Sequence, residues 1–272
     1  MATDQQSAPE GVGEFYDRIT DVYAQVWGSN IHVGYWADAE DHTPIEQATE
    51  RLTGLLVDRL APEPDQHVLD VGCGIGQPAI TLARSSGASV TGISVSGHQV
   101  ARATERAREA GLGDRVRFQR ADANDLPFPD ASFDAAWAVE SLIHMPDKDR
   151  ALREVARVLR PGARLAIADM FHQPGTDLSY RGIVETVGID EYRGMLERAG
   201  LIPLDVTDIT ERTRIPEPIK EAFRRRLLER AEEFLPTVGQ EVYDQLRDPS
   251  SDVFDHPGFG YVLATARREA AT

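Results

Sequence analysis

Cysteine is almost missing from this chain: Cys73 stands alone, so no internal disulfide can form. No apolar run approaches the ~18 residues that a membrane helix needs. Residues 1–10 carry neither the basic start nor the apolar stretch of a secretory signal. Together these absences predict a soluble, cytoplasmic protein. Positive charge is also scarce. Lys and Arg number 29 against 45 Asp and Glu, for a net charge of −16 and a pI near 4.8. A surface of that sign repels phosphate backbones, which disfavours nucleic-acid substrates while leaving room for a local basic patch. There is no glycine-rich phosphate loop ending in Lys-Ser/Thr. No His/Cys spacing suits a bound metal, so none is expected, although a carboxylate-and-water site for magnesium would leave little trace in a sequence.

What is present is enough apolar residue, 41% of 272, to bury one good core with a small cap, so one domain with insertions is the expected count. Residues 1–10 are polar and aperiodic and read as disordered. Phe15, Ile19, Val22, Tyr23 and Val26 then recur at helical spacing, and 31–36 reads as a short extended piece. Thr43 as N-cap and Pro44 at the first helical position open a second helix that runs to about Leu60. Pro62 and Pro64 interrupt the chain after it.

The chain is organised around His67-Val68-Leu69-Asp70-Val71-Gly72-Cys73-Gly74-Ile75-Gly76. Val68, Leu69 and Val71 read as a buried parallel strand, the glycines as a turn, and 77–84 as a helix, which together make a strand-turn-helix cofactor site. Glycine there admits positive φ and a close ligand approach. A Gly-x-Gly-x-Gly string serves a plain turn as readily as a dinucleotide site, so its neighbours decide. Asp70, at the strand end, would repel a pyrophosphate and attract a sulfonium or amino group. Cys73 reads as a small filler, because no base partner is evident. Further strands follow at 89–94, 115–119, 133–139, 164–170, 204–210 and 260–267, alternating with helices at 99–110 and 188–200. That alternation implies a parallel sheet with right-handed crossovers. A charged amphipathic insert at 211–257 puts Ile219, Ala222, Phe223, Leu227 and Leu228 on one face and Arg224, Arg225, Arg226 and Arg230 elsewhere. The arginines read as a solvated face, with a site for an anionic acceptor as the sharper alternative.

Ala121-Asp122-Ala123 and the run Leu126-Pro127-Phe128-Pro129-Asp130-Ala131-Ser132-Phe133-Asp134 follow the glycine turn in order. With them, 67–170 resembles the class I S-adenosylmethionine-dependent methyltransferases, and above all the natural-product small-molecule O-methyltransferases of the rebeccamycin sugar and ansamycin type. The resemblance implies an α/β, Rossmann-like fold with a seven-stranded, mostly parallel sheet, helices on both faces, helical cap elements and an antiparallel last strand. It divides the chain into an N-terminal helical cap (1–60), a core (61–210), an inserted helical cap (211–257) and a final core strand (258–272).

The same resemblance implies S-adenosylmethionine as cofactor, bound by Asp70, Gly72, Gly74, Gly76, Ser94, Gln99, Asp122 and Ala123. Ser94 and Gln99 stand where an acidic side chain more commonly reads the ribose hydroxyls, a departure that looks like the branch acting on sugars, sterols, prenyl chains and lipids. Asp122 followed by small Ala123 suits an adenine amino group. Tyr16 and Trp36 fall where the resembled proteins carry a Tyr-Asp pair and a Gly-Tyr-Trp string, which implies substrate contact; ordinary core packing is the other reading of both.

Methyl transfer from a sulfonium is an in-line displacement, so holding the acceptor against the methyl can supply ~7–11 kcal/mol of the barrier. An alcohol acceptor must also lose a proton. After the fourth strand comes Glu140-Ser141-Leu142-Ile143-His144-Met145-Pro146-Asp147, where His144 can act as general base, worth ~100- to 10,000-fold. Its bland reading is a histidine that bonds backbone and fixes the loop. Many of the resembled enzymes carry two adjacent histidines here, and Ile143 replaces the first. Asp169, at the end of the fifth strand, can orient the base or bind the acceptor hydroxyl, with His172 nearby. Glu140 resembles a glutamate that stabilises a carbocation in prenyl diphosphate C-methyltransferases.

The expected function is S-adenosylmethionine-dependent O-methylation of a bulky secondary metabolite in antibiotic biosynthesis: a glycoside, a macrolide or an ansamycin such as a rifamycin-type compound. The alternatives are C-methylation of a prenyl diphosphate or sterol-like alkene and a catalytically silent cofactor-binding protein. The partner expected is a small molecule, with no nucleic acid and no membrane; a homo-oligomer is left open.

Overall fold

The computed structural model describes residues 8–176, 178, 183–240, 243–244, 248 and 256–270. Two strands with apolar side chains on both faces form its centre: β1 (His67–Val71) and β4 (Phe133–Val139) pair in parallel, with Leu69 opposite Ala136 and Asp70 opposite Trp137. Around them the sheet runs β3-β2-β1-β4-β5-β7-β6. Here β2 spans Ser89–Ser94, β3 Val116–Arg120, β5 Leu159–His172, β6 Leu201–Asp208 and β7 Phe259–Arg268. β7 is antiparallel to both of its neighbours. This is the expected seven-stranded, mostly parallel, Rossmann-like α/β sheet. Strand order reverses between β1 and β4, so a crevice opens at their carboxyl ends.

Side-chain alternation along the strands feeds two apolar layers. Leu69, Val71 and Ile167 pack with Leu152 and Val155 of α5 (Lys148–Val158) and Leu196 of α6 (Ile189–Arg198). On the opposite face Val68, Val90 and Trp137 pack with Leu52 and Leu56 of α2 (Ile45–Leu60) and Leu82 of α3 (Gln77–Ser86). Each leucine buried this way stabilises the fold by ~1.5–3 kcal/mol. α4 (Gly97–Glu109) starts on Ser96, whose hydroxyl accepts the Gln99 N–H.

Several boundaries differ from the sequence reading, each for a local reason. α1 spans Ala8–Val26, so the helix begins inside the stretch that reads as disordered; its Pro9 and Glu10 suit a first turn. Residues 1–7 lie outside the described residues. α2 starts at Ile45 with Pro44 in the cap position, while the Thr43 hydroxyl bonds Asp41 instead of capping. Residues 31–36 join no strand: the Tyr35 and Trp36 N–H groups bond the carbonyls of Ala48 and Arg212, which wedges the segment between α2 and α7 (Thr210–Thr213). β5 begins before Arg164, at Leu159, because the chain bulges between the Phe133–Leu159 and Ala135–Arg164 pairs. β6 begins at Leu201, ahead of the expected 204, and runs through Pro203; β6 is the sheet edge and shifts register there, so a missing N–H is tolerated.

The N-terminal helix α1 lines the crevice with Val12 and Tyr16, and the inserted helices pack against α1. Ile19, Val22 and Val26 of α1 pack against Leu227 of α8 (Glu217–Glu229) and against Phe234 and Val238 of α9 (Ala231–Val238). Leu228, expected on that apolar face, is 52% exposed. The arginines are met by acids of the protein itself: Arg224 by Glu217, Arg225 by Glu229, Arg226 by Glu46 and Arg230 by Glu233. They form a solvated, charge-balanced face. Among the described residues no helix is long and apolar enough to cross a membrane.

Candidate active site

The turn after β1 is locked onto β2, because the N–H groups of Gly72 and Cys73 both donate to the Ile93 carbonyl, at 3.0 and 2.8 Å. Gly72, at φ 80, has no room for a side chain: a Cβ would come within 2.3 Å of the Ser141 Cβ. Gly74 differs. Nothing lies within 4 Å of where its Cβ would be, and its bare backbone faces a cavity. Gly76 serves packing, since a Cβ there would meet Phe118 Cζ at 2.6 Å and Ala103 Cβ at 2.8 Å. It does not line the cavity, which corrects its expected cofactor contact.

The cavity opens over the carboxyl ends of β1, β2 and β4. Gly72, Gly74, Ser94, Gln99, Asp122 and Ala123 bound one side, and Tyr16, Glu140 and His144 face them. The Ser94 hydroxyl donates to Gln99 Oε1 at 2.8 Å, and Gln99 Nε2 donates to the Thr20 hydroxyl of α1 at 3.3 Å. Ser96 Oγ bonds the Asp17 carboxylate, so α1 is tied to this corner at a second point. Asp122 Oδ1 accepts from the backbone and side-chain nitrogens of Asn124, at 2.9 and 3.1 Å. Sequence reasoning missed Val12, Ile31, Asn124, Met145 and Pro146. The apolar ones carry no motif, and only Asn124, next to Ala123, had a signal to follow. Among the described residues no Lys or Arg lines the cavity.

Asp70 lies beneath the turn and is only 2% exposed, with no partner for its Oδ2. Burial pushes its carboxyl up to about 7, against the pull of the Trp137 indole beside it. Glu140 leaves β4 in the left-handed region at φ 47. Its Oε1 accepts the Val33 N–H at 2.7 Å and the Tyr261 O–H at 2.9 Å. Burial raises this carboxyl to about 8, the two bonds opposing it.

His144 ends a single 3₁₀ turn, Leu142–His144. Its Nδ1 sits 2.6 Å from the Ile183 carbonyl, which can only accept, so Nδ1 carries the proton. Nε2 therefore holds the lone pair and accepts the Tyr16 O–H at 2.8 Å. Burial lowers His144 to about 4, which keeps the imidazole neutral at pH 7. Burial, with Tyr23 and the carboxyls of Glu140 and Asp169 adding to it, pushes the Tyr16 phenol up.

Asp169 is 0% exposed and touches neither the imidazole nor the cavity. Its Oδ2 accepts the Ile143 N–H at 3.2 Å and its Oδ1 the Met170 N–H at 2.8 Å. Burial pushes it up to about 7. Asp169 can thus orient the base through the backbone, whereas the expected contact with an acceptor hydroxyl is corrected. His172 bonds Thr186 and is not at the cavity wall. Trp36 is corrected too: at 1% exposure it packs with Ile45, Ala48 and Ile215, and its indole donates to the Thr43 carbonyl.

Two buried oxygens here, Asp70 Oδ2 and Asn124 Oδ1, lack a partner. A wall rich in acceptors and, among the described residues, without a cation, with open backbone at Gly74, suits a ligand that brings N–H donors and positive charge. S-adenosylmethionine offers both in its adenine amino group, ammonium and sulfonium. A methyltransferase-domain family model matches residues 69–167. Methyltransferase GfsG of Streptomyces halstedii is 44% identical over 265 residues, covering 94% of this chain and 93% of the relative. The 27-O-demethylrifamycin SV methyltransferase of Amycolatopsis mediterranei is 43% identical over 270 residues, covering 96% and 97%. Among solved structures, the 4+2 cyclase SpnF matches with a TM-score of 0.86 at 35% identity over 97% of each chain. Relatedness along nearly the whole length agrees with the glycine turn, its buried aspartate and the acceptor-lined crevice: the chain belongs to the S-adenosylmethionine-dependent methyltransferases.

Proposed function

We propose that this enzyme methylates a hydroxyl oxygen of an uncharged, bulky secondary metabolite, a glycoside, macrolide or rifamycin-like ansamycin, within antibiotic biosynthesis. The observation that carries the reading is the tautomer of His144, whose Nε2 lone pair is turned to the cavity and already accepts one hydroxyl, that of Tyr16. An acceptor O–H that takes the place of the phenol gives its proton to Nε2, while the Ile183 carbonyl holds the ring and Asp169 holds the backbone of Ile143. S-adenosylmethionine supplies an electrophilic methyl on a sulfonium, and Asp70, Gly72, Gly74, Ser94, Gln99, Asp122 and Ala123 are the residues suited to hold it. Val12, Ile31, Met145 and Pro146 offer an apolar wall to the body of the acceptor. Similarity to a rifamycin methyltransferase supports an acceptor of that class.

Charge argues against a prenyl diphosphate acceptor. Its phosphates would meet Glu140 and Asp122 and, among the described residues, no lining cation. Glu140, raised to about 8, is mostly protonated at pH 7 and offers little charge to a carbocation. A second reading draws on the likeness to a cyclase: cofactor binding without methyl transfer. Turnover of neutral hydroxylated macrolactones and glycosides, compared with prenyl diphosphates at equal concentration, tests the proposal. Methylated product from the neutral acceptors alone is expected. Methylation of a diphosphate would overturn it, and consumption of an acceptor without gain of a methyl would favour the cyclase-like reading.

A further inference from the structure

Lys148 breaks two local rules at once. It is the first residue of α5, where the helix dipole is positive and a cation is unfavourable, and it is only 7% exposed, where an ammonium loses its hydration. Lys148 and Lys220 are the only lysines in the chain. Sites that violate local preference in this way tend to be functional.

The contacts of Lys148 identify what it serves. Its Nζ donates to the Met145 carbonyl at 2.9 Å, just beyond the 3₁₀ turn that carries His144. At the other end of that turn Asp169 accepts the Ile143 N–H, and the Ile143 carbonyl receives the Glu185 N–H at 2.7 Å. The turn is therefore held by a carboxyl at its amide end and an ammonium at its carbonyl end. Burial pulls the Lys148 ammonium down, and the carboxyls of Asp169 and Glu185 push it back up.

We propose that Lys148 is a positioning residue for His144: with Asp169 it clamps the turn that presents the imidazole, and its charge opposes protonation of the ring while no acceptor is bound. This rests on the reading of His144 as the base. Tyr16 from α1 bonds the His144 ring and Lys148 from α5 acts on it directly, while Tyr23, Glu140 and Asp169 act on Tyr16, and Asp169 and Glu185 act on Lys148. Lys148 is the only cation among these described groups, and a nearby positive charge disfavours a second one on the imidazole.

The test uses the full chain with three substitutions. Lys148→Met removes charge and donor, Lys148→Gln keeps a donor without charge, and Lys148→Arg keeps both. The readouts are the NMR titration of His144, assigned by its loss in His144→Ala, and kcat and KM with saturating cofactor. In Lys148→Met the His144 midpoint should rise, because a like charge beside the ring is gone. Its kcat should fall about tenfold while the KM for cofactor holds. Lys148→Gln should show the raised midpoint with a smaller loss of kcat, and Lys148→Arg should stay near wild type in both. A midpoint that stays put in folded Lys148→Met or Lys148→Gln overturns the proposal, as does an equal loss in all three variants. If Lys148→Met does not fold, the midpoint in Lys148→Gln decides. Should His144→Ala remain fully active while the midpoint still shifts, the base assignment fails and the clamp stands.

Discussion

Replacing His144 by alanine removes the imidazole lone pair, which accepts the Tyr16 hydroxyl at the cavity wall. The imidazole makes two bonds, its Nδ1–H to the Ile183 carbonyl and its Nε2 to the Tyr16 hydroxyl, and neither partner has a substitute in the alanine variant. Leaving a buried donor and acceptor unpaired costs ~1–3 kcal/mol each at most, so the variant should fold with a lowered melting temperature. Loss of a general base costs about 100- to 10,000-fold in rate, and the lower bound alone corresponds to ~2.7 kcal/mol of transition-state stabilisation. Binding of cofactor should persist, because His144 does not bond Ser94, Gln99 or Asp122. The assay is product formation at saturating acceptor and cofactor, with cofactor affinity from calorimetry as the control for folding. Acid should mimic the substitution: protons occupy Nε2 as pH falls through about 4, so wild-type kcat/KM declines there. The alanine variant lacks that limb. Retention of more than about a tenth of the wild-type rate would refute the base assignment.

Glu140→Gln separates the two chemistries from the other side. A carboxyl raised to about 8 is already neutral at pH 7, and glutamine still accepts from Val33 and Tyr261, so the rate should stay within about tenfold; a loss beyond about 100-fold would favour cation stabilisation. Trp36→Ala should lower stability by ~3–5 kcal/mol in denaturant titration and leave the acceptor KM of the folded enzyme near wild type, because the ring is core. His32, buried between the Val33 carbonyl and the Thr53 hydroxyl, is lowered by burial to about 4. The unfolded chain takes up a proton near 6.5 and the folded one does not, so this contribution is complete above 6.5 and is lost as pH falls toward 4. His32→Gln should therefore lose about 2 kcal/mol less stability than wild type between pH 7 and pH 5, measured by urea titration at both.

Much of the fold is legible because its signals are local. The apolar run of β4 and the Ser89–Ser94 strand can be read to the residue, since both are bounded by turn residues and buried on two faces. The glycine turn carries its own chemistry, and Gly72, Gly74, Ser94, Gln99, Asp122, Ala123, Glu140, His144 and Tyr16 do converge on one cavity. The misses are those that only packing decides. Trp36 and Tyr16 look alike as aromatics near the N-terminus, yet one faces Ile45 and the other His144. Asp169 lies near the carboxyl end of β5, where a site residue is expected, but the turn above it takes up its carboxyl oxygen. Gly76 shares a string with Gly74 and differs only in what its missing side chain would strike. The start of β6 at Leu201 instead of 204 depends on the sheet order, which puts Pro203 at an edge where its missing N–H is tolerated. Lys148 has no pattern at all; its meaning comes from burial.

The central claim is methyl transfer to oxygen. It is tested most directly by incubating the enzyme with methyl-tritiated S-adenosylmethionine and the hydroxylated macrolactones, ansamycins and glycosides, then locating the new methyl by mass spectrometry and NMR. Label on an oxygen of a neutral acceptor is the predicted result. Label on carbon, or an altered acceptor with no label, would contradict the account.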